Sequence, residues 1–374
     1  MIIKALGTKP TGDRLARMQR SPHYKDGVFQ NPEPTDLRLQ GASFGKVLWE
    51  YLFQKPKNTT PPAALPSVKP VLNALEPGTQ FVWFGHSSYL IKSRDVIKSG
   101  EVTLLVDPVF SGHASPFAFT TKAFPGTNGY TAGDVGDLDV LLLTHDHYDH
   151  LDYETVVALA PRTRVIVTAL GVGAHLEYWG VPASKIIELD LGESCTPQDG
   201  VRLTATSGRH FSGRSFKRNG TLWASFVLEL GEKRLFLGGD SGYGPHFAQI
   251  GQTYGPFDLV FLECGQYGIH WPFIHMFPEQ TYQAALDLGA KVLMPVHWGK
   301  FSLAMHSWDE PVRRLKAFAE VAVADGTVAS GTMEGGDVVS GPADGPVLVT
   351  PRIGEVVRLG GPYPSDPWWE KMTP

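Results

Sequence analysis

The chain reads as an α/β protein folded as a four-layered αββα sandwich, two sheets face to face with helices outside. Two observations carry that reading. Short runs of Val, Leu, Ile and Phe, each bounded by turn residues, recur from Phe81 to Val296 and have the length and branching of strands. They fall into two half-chains, each giving closely spaced strands and then strands that alternate with helices, and two such halves bury their apolar faces most economically against each other.

Residues 1–78 are rich in Pro, Lys, Arg and Asn, as in Asn31-Pro32-Glu33-Pro34 and Thr59-Thr60-Pro61-Pro62, and are read as an N-terminal extension packed on the main domain. Within it Phe44, Val47, Leu48, Tyr51 and Leu52 recur at helical spacing between Phe44 and Phe53. Core packing is preferred to a lipid-facing role there, because the opposite face lacks an excess of Lys and Arg. The main domain is assigned to residues 79–335. Strands are expected at Phe81–Phe84, Ser88–Ile91 and Thr103–Val106, close enough to be antiparallel neighbours, and at Val140–Leu143. A helix at Tyr153–Leu159, a strand at Val165–Val167, a helix at Gly173–Tyr178 and a strand at Lys185–Ile187 follow. The second half gives expected strands at Val201–Ala205, Leu222–Leu230, Lys233–Leu237 and Leu259–Leu262, a helix from Pro278 to Leu288, a strand at Lys291–Val296 and a helix at Glu310–Val321. Residues 336–374 are assigned to a C-terminal tail clamped onto the domain by Trp368 and Trp369.

Composition narrows the partners. The 374 residues carry 33 Lys and Arg against 38 Asp and Glu, a net charge of −5 with a pI near 6.2. No basic stripe is visible, so nucleic acid is not expected as a partner. Cys195 and Cys264 stand in unrelated contexts and are read as reduced thiols. The first apolar run is too short for a signal peptide, and no run reaches the roughly 18 apolar residues of a membrane span. The expected location is cytoplasmic, with peripheral membrane association left open, as is the oligomeric state.

The chemistry concentrates in Thr144-His145-Asp146-His147-Tyr148-Asp149-His150-Leu151-Asp152, directly after the expected strand Val140–Leu143. Imidazole nitrogen and carboxylate oxygen are the ligands a divalent ion such as zinc takes, and His145, His147, Asp149 and His150 place four of them within six residues. A polar loop that happens to be rich in histidine is the competing account. Three further candidates, His210, Asp240 and His297, each stand just past an apolar run. Taken singly each is explained by a turn or a cap; strand ends in a layered fold converge on one edge, so together with the motif they reinforce one another.

The segment His145-Asp146-His147-Tyr148-Asp149-His150 resembles the His-x-His-x-Asp-His signature of the metallo-β-lactamase fold superfamily. More narrowly, the chain is similar to the phospholipase D that hydrolyses N-acyl-phosphatidylethanolamine and to its bacterial relatives. Trp83-Phe84-Gly85-His86, Asp107-Pro108-Val109-Phe110, Gly239-Asp240-Ser241-Gly242-Tyr243, Gly255-Pro256-Phe257-Asp258-Leu259, His275 with Pro278-Glu279, and His297-Trp298-Gly299 carry that likeness, over roughly residues 80–315. The resemblance implies a metallo-β-lactamase fold and two zinc ions per chain. It places His145, His147 and His210 on one ion, Asp149, His150 and His297 on the other, and Asp240 between them. His147, where a redox branch has Glu, favours hydrolytic zinc. Two such ions activate a water and clamp the oxygens of a displacement, so no protein nucleophile is required. The implied catalytic residues are Asp149, Asp240 and His275, the last acting near the leaving group. The implied substrate is a small molecule or phospholipid, foremost a phosphodiester like N-acyl-phosphatidylethanolamine; a lactonase or other ester hydrolase is the alternative.

Other residues carry two readings. Asp107 either orients a ligand imidazole or ends a strand in a turn. His86 and His113 either line the site or satisfy backbone groups, and the second use is preferred; His23, His175, His246 and His306 are read as structural. Ser241 and Tyr243 are read as packing. Tyr267, Trp271, Phe273, Ile274, Met276 and Phe277 form either an apolar substrate pocket or a lid packed on the domain.

Overall fold

The computed structural model describes residues 4–37, 56–72, 76–94, 100–214, 217–324 and 345–372, with positions 45, 49–50 and 53–54. The N-terminal segment forms α1 (Gly12–Arg20) and a small hairpin, β1 (Tyr24–Lys25) and β2 (Val28–Phe29). Arg14 of α1 donates to Glu188 (2.6 Å) and Glu177 (2.7 Å), and Met18 is buried, which holds the segment against the first half of the domain. Phe44, Val47, Leu48, Tyr51 and Leu52, the apolar face expected of a helix there, lie outside the described residues.

The first half gives β3 (Gly78–Trp83), β4 (Tyr89–Arg94), β5 (Glu101–Val106), β6 (Leu138–Leu143), α2 (Tyr153–Leu159), β7 (Thr163–Ala169), α3 (Gly173–Tyr178) and β8 (Ile186–Leu189). The antiparallel pairing of β3, β4 and β5 follows from their short connections, and β5 through β8 run parallel, with α2 and α3 as crossovers. The second half repeats the plan with β9 (Ser194–Gln198), β10 (Val201–Thr206), β11 (Ser225–Leu230), β12 (Lys233–Leu237), α4 (His246–Tyr254), β13 (Leu259–Glu263), α5 (Pro278–Asp287), β14 (Val292–Val296) and α6 (Glu310–Ala324). Here β9 to β12 are antiparallel and β12 to β14 parallel. Two last strands, β15 (Val347–Leu348) and β16 (Val356–Arg358), add one edge to each sheet, in the orders β15-β14-β13-β12-β11-β10-β9 and β16-β3-β4-β5-β6-β7-β8. The stretch expected only as a tail therefore completes both sheets.

The sheets meet through aromatic rings. Tyr89 of β4 stacks on Phe261 of β13 with centroids 3.9 Å apart, and Phe81 of β3 meets the same ring edge-on at 5.2 Å. All three are essentially inaccessible, and a buried ring of this kind contributes roughly 1.5–3 kcal/mol by leaving water. Trp298 packs tilted against Trp83 (5.1 Å) and stacks on Trp368 (5.5 Å), so the C-terminal tryptophans close over the same seam.

Besides α1, β1, β2, β15 and β16, which have no counterpart among the expected elements, three elements departed from expectation. The strand placed at Leu222–Leu230 begins only at Ser225, because Ala224 N–H is drawn to Thr144 O (3.1 Å) of the histidine loop. The helix α4 and the strand β9 carry weak periodicity, with His246, Gln249 and Gly251 in one and Pro197 in the other, and were not foreseen. Alpha-helix α5 begins where read, since Pro278 takes its first position and Gln280 accepts the Phe277 N–H at 3.0 Å.

Candidate metal centre

Every cluster residue stands at or just beyond a strand end. His145, His147, Asp149 and His150 follow β6; His210 follows β10, Asp240 follows β12, and His297 follows β14. The two halves are stitched together at this edge: His86 N–H donates to Trp298 O (2.8 Å) and His297 N–H to His86 O (3.0 Å). The backbone is forced to make these approaches. His86, Asp107 and His297 have φ of 54°, 41° and 67°, a region that non-glycine residues occupy rarely and at a cost of order 1–3 kcal/mol each. Gly239 has φ 58°, and a Cβ there would come within 3.1 Å of Ala224 O and of the Thr144 side chain, so only glycine lets the turn before Asp240 press on the histidine loop.

Two groups of ligand atoms result. In the first, His145 Nε2 is 2.9 Å and His210 Nε2 3.2 Å from His147 Nδ1, and the two Nε2 atoms are 3.8 and 3.6 Å from Asp240 Oδ2. In the second, Asp149 Oδ2 is 3.6 Å from His150 Nε2 and 3.3 Å from His297 Nε2, and Asp240 reaches the same two nitrogens at 3.1 Å. Asp240 thus touches both. The edges suit a metal: a tetrahedron with bonds of 2.0–2.1 Å has edges of about 3.3–3.4 Å. The lone pairs are aimed correctly as well. His145 Nδ1 is 3.0 Å from Thr144 Oγ1, His150 Nδ1 2.8 Å from Asp107 Oδ2, and His210 Nδ1 2.9 Å from Ile274 O, so each Nδ1 proton is engaged and each Nε2 is left as a donor of electrons. His150 Nε2 and Asp240 Oδ1 are buried with no hydrogen-bond partner among the described residues, the condition a cation between them relieves.

The electrostatics agree. Burial, then the neighbouring His150, holds His145 well below the usual imidazole range, and burial also holds His210 down; both are the neutral rings a metal takes. Burial opposes charge on His150 and His297 too, but the surrounding carboxylates together outweigh it, Asp240 and Asp149 for both, with Asp107 for His150 and Glu263 for His297, raising His150 well above its ordinary value and His297 to about 10. Buried carboxylates are thus drawing positive charge into the site.

Around this core the sequence-level candidates divide. Asp107 orients His150 and also accepts Thr144 N–H (2.9 Å) and Thr144 Oγ1–H (2.6 Å), so it is the orienting carboxylate and not merely a turn. His86, for which a backbone role was preferred, lies 2.8 Å from Asp149 Oδ2, fully buried, and joins the second ligand group. His113 bonds to Ser115 O and stays outside the clusters. His175 faces Asp146 at 3.2 Å, and His306 accepts Gln266 N–H; both are satisfied structural rings. Tyr243 O–H donates to Asp287 (2.7 Å), a packing role. The aromatic loop serves both of its readings: Trp271 and Ile274 line the cavity, while Tyr267 donates to Glu310 and Met276 is buried in the core.

His275 lines the cavity, with Nδ1 2.6 Å from Glu263 Oε2. Glu263 was missed. It is fully buried at the end of β13, its Oε1 accepts Ser241 N–H (2.7 Å), and its Oε2 stands 3.4 Å from His297 Nδ1. Burial raises its pKa, against the pull of His275. The signal that marked His210, Asp240 and His297, a polar residue ending an apolar run, is present in Leu259-Val260-Phe261-Leu262-Glu263 as well. The cavity itself is about 300 Å³ and is lined by His147, Asp149, His210, Asp240 and His297, by the apolar Leu37, Phe211, Trp271, Ile274 and Leu303, and by Arg218, Gln266 and His275.

A model of the beta-lactamase superfamily domain matches residues 103–298, which hold all seven sequence-derived candidate ligands, from His145 to His297. The chain belongs to the metallo-β-lactamase superfamily. An uncharacterized protein of Mycobacterium tuberculosis is 37% identical over 98% of this superfamily member and 91% of its own length. The N-acyl-phosphatidylethanolamine-hydrolyzing phospholipase D 1 of Caenorhabditis elegans is 29% identical over 64% of this chain and 70% of its own. Among solved structures, the isothiocyanate hydrolase from Delia radicum gut bacteria superposes with a TM-score of 0.53 at 16% identity, covering 74% of this chain and 98% of that one, a likeness of fold. Among the described residues of this superfamily member no helix is long and apolar enough to cross a membrane.

Proposed function

We propose that this chain is a metal-dependent hydrolase that works with two zinc ions, and that its substrate is a phosphodiester with an apolar arm, of the N-acyl-phosphatidylethanolamine kind. His145, His147 and His210 would hold one ion, Asp149, His150 and His297 the other, with Asp240 shared. Bound there, the ions supply Lewis acidity and an activated water. The observation that carries the substrate class is the mixed lining of the cavity, where the candidate ligands share the space with Leu37, Phe211, Trp271, Ile274 and Leu303. An anionic diester centre would meet the ligand side chains and a hydrocarbon arm the apolar ones. At about 300 Å³ the cavity is at the small end for ligands, so it takes the diester and the adjoining part of the arm, the rest leaving through the mouth. Ile269, two residues before Trp271, is 68% exposed, which suits a mouth that meets a micelle or bilayer surface.

In this reading His275, as the imidazolium, would give its Nε2 proton to the departing alkoxide and take a proton back from solvent afterwards. Glu263 holds its Nδ1, which leaves Nε2 for the substrate, and a positioned acid of this kind contributes typically 10²–10⁴-fold. The test is a substrate panel for the zinc-loaded protein. N-acyl-phosphatidylethanolamine in mixed micelles should be cleaved to phosphatidic acid much faster than a soluble aryl phosphodiester. A higher kcat/KM on lactones than on any diester would replace this reading with the ester-hydrolase alternative.

A further inference from the structure

Asn31, two residues past the end of β2, pairs its side-chain amide with both backbone polar groups of His210. Nδ2 donates to His210 O at 2.8 Å, and Oδ1 accepts His210 N–H at 3.0 Å. The strand β10 ends at Thr206, so the ligand's own backbone is bonded to the N-terminal segment and not to a neighbouring strand. Arg209 grips the same segment: Nε donates to Thr35 Oγ1 (2.9 Å) and Nη2 to Pro34 O (3.0 Å), while Nη1 holds Tyr243 O (3.1 Å) and the guanidinium lies 4.7 Å over Phe273. Two residues further on, Leu37 enters the cavity wall.

We infer that residues 31–37 are a working part of the metal centre, with Asn31 a positioning residue that fixes the height and direction of His210. This rests on the metal-binding reading above. A latch that improves the metal's affinity by some factor is itself tightened by the metal by the same factor, because coupling between two equilibria is reciprocal. Order in the N-terminal segment and occupancy of the first ligand group are therefore one linked equilibrium.

The experiment pairs chelator competition for zinc with hydrogen–deuterium exchange on the full chain. In the wild type, added zinc should slow exchange over 31–37 as well as over 208–212. Asn31→Ala should lower zinc affinity roughly 10-fold or more, the scale known for groups that orient a ligand, and leave 31–37 fast with or without zinc. Asn31→Asp, which keeps the acceptor but sets a second oxygen against His210 O, should act in the same direction. Unchanged protection in β4 to β6 certifies the fold within the same data. Wild-type zinc affinity in both variants, or zinc-insensitive exchange over 31–37 in a wild type that binds zinc, overturns the inference and leaves the metal reading standing. A wild type that takes up no zinc overturns the reading and the inference with it.

Discussion

The buried Glu263 and the half-buried His275 form a pair, carboxylate Oε2 2.6 Å from imidazole Nδ1, at the boundary between ligand cluster and cavity. The other carboxylate oxygen is occupied by Ser241 N–H, next to Asp240, so one side chain links the neighbourhood of Asp240, the imidazole of His297 and the ring that lines the cavity. Glu263→Gln keeps the volume and removes the charge. It is expected to lower kcat by 10–100-fold with little change in KM and with zinc retained, and His275→Ala should lose at least as much turnover, again with metal kept. Elemental analysis beside steady-state kinetics reads both; loss of zinc in His275→Ala would make His275 a ligand, a role that its place among Asp240, Glu263 and His297 also permits.

Asp240 touches both ligand groups, so its removal should be felt by both. The wild type dialysed against zinc is expected to hold about two equivalents, since seven ligands exceed what one tetrahedral ion with an open position uses. Asp240→Ala should fall below one under the same conditions. A stoichiometry fixed at one under saturating zinc would falsify the dinuclear assignment.

Asp107 orients rather than binds, and its removal should be graded differently. Asp107→Ala leaves His150 Nδ1, Thr144 N–H and Thr144 Oγ1 without their acceptor inside the protein. A loss of 10–100-fold in zinc affinity is expected, together with about 2–3 kcal/mol of stability. Thr144→Val removes one of those hydrogen bonds and also the partner of His145 Nδ1, so it should weaken zinc binding through the other ligand group while costing less stability, which chelator titration and urea unfolding can resolve. Wild-type zinc affinity in Asp107→Ala would show that Asp107 does not orient His150 for the metal.

Lys300 is fully buried with Nζ on Phe84 O and Val109 O, and burial lowers its pKa from 10.5 to about 7. Below pH 7 the folded and unfolded states are both charged and the whole cost of the buried charge weighs on the fold; above pH 10.5 both are neutral and the cost is gone. Between these limits the unfolded state binds the extra proton, so the free energy of unfolding rises with pH, by a few kcal/mol in order of magnitude across the window. Lys300→Met should flatten that rise in urea midpoints measured from pH 7 upward. Parallel profiles for the two proteins would show that Lys300 does not titrate there.

Much of this was legible in the chain because it is local. The strand β12 and the helices α2 and α3 fall where Lys233–Leu237, Tyr153–Leu159 and Gly173–Tyr178 were read, since apolar periodicity and turn residues act over a few positions. The histidine motif marked the edge where the ligands collect, for six consecutive residues carry it. What tertiary structure alone decided are relationships across the whole chain. Asn31 meets His210 across 179 positions and His86 meets Asp149 across 63, and no local pattern encodes such contacts. The left-handed backbone of His86, Asp107 and His297 is likewise imposed by the closure of two sheets at one edge, against the intrinsic preference of each residue. Glu263 shows the boundary between the two: its place at a strand end is written in the sequence, but that its carboxylate points into the site, and not into solvent, depends on which strand lies beside β13.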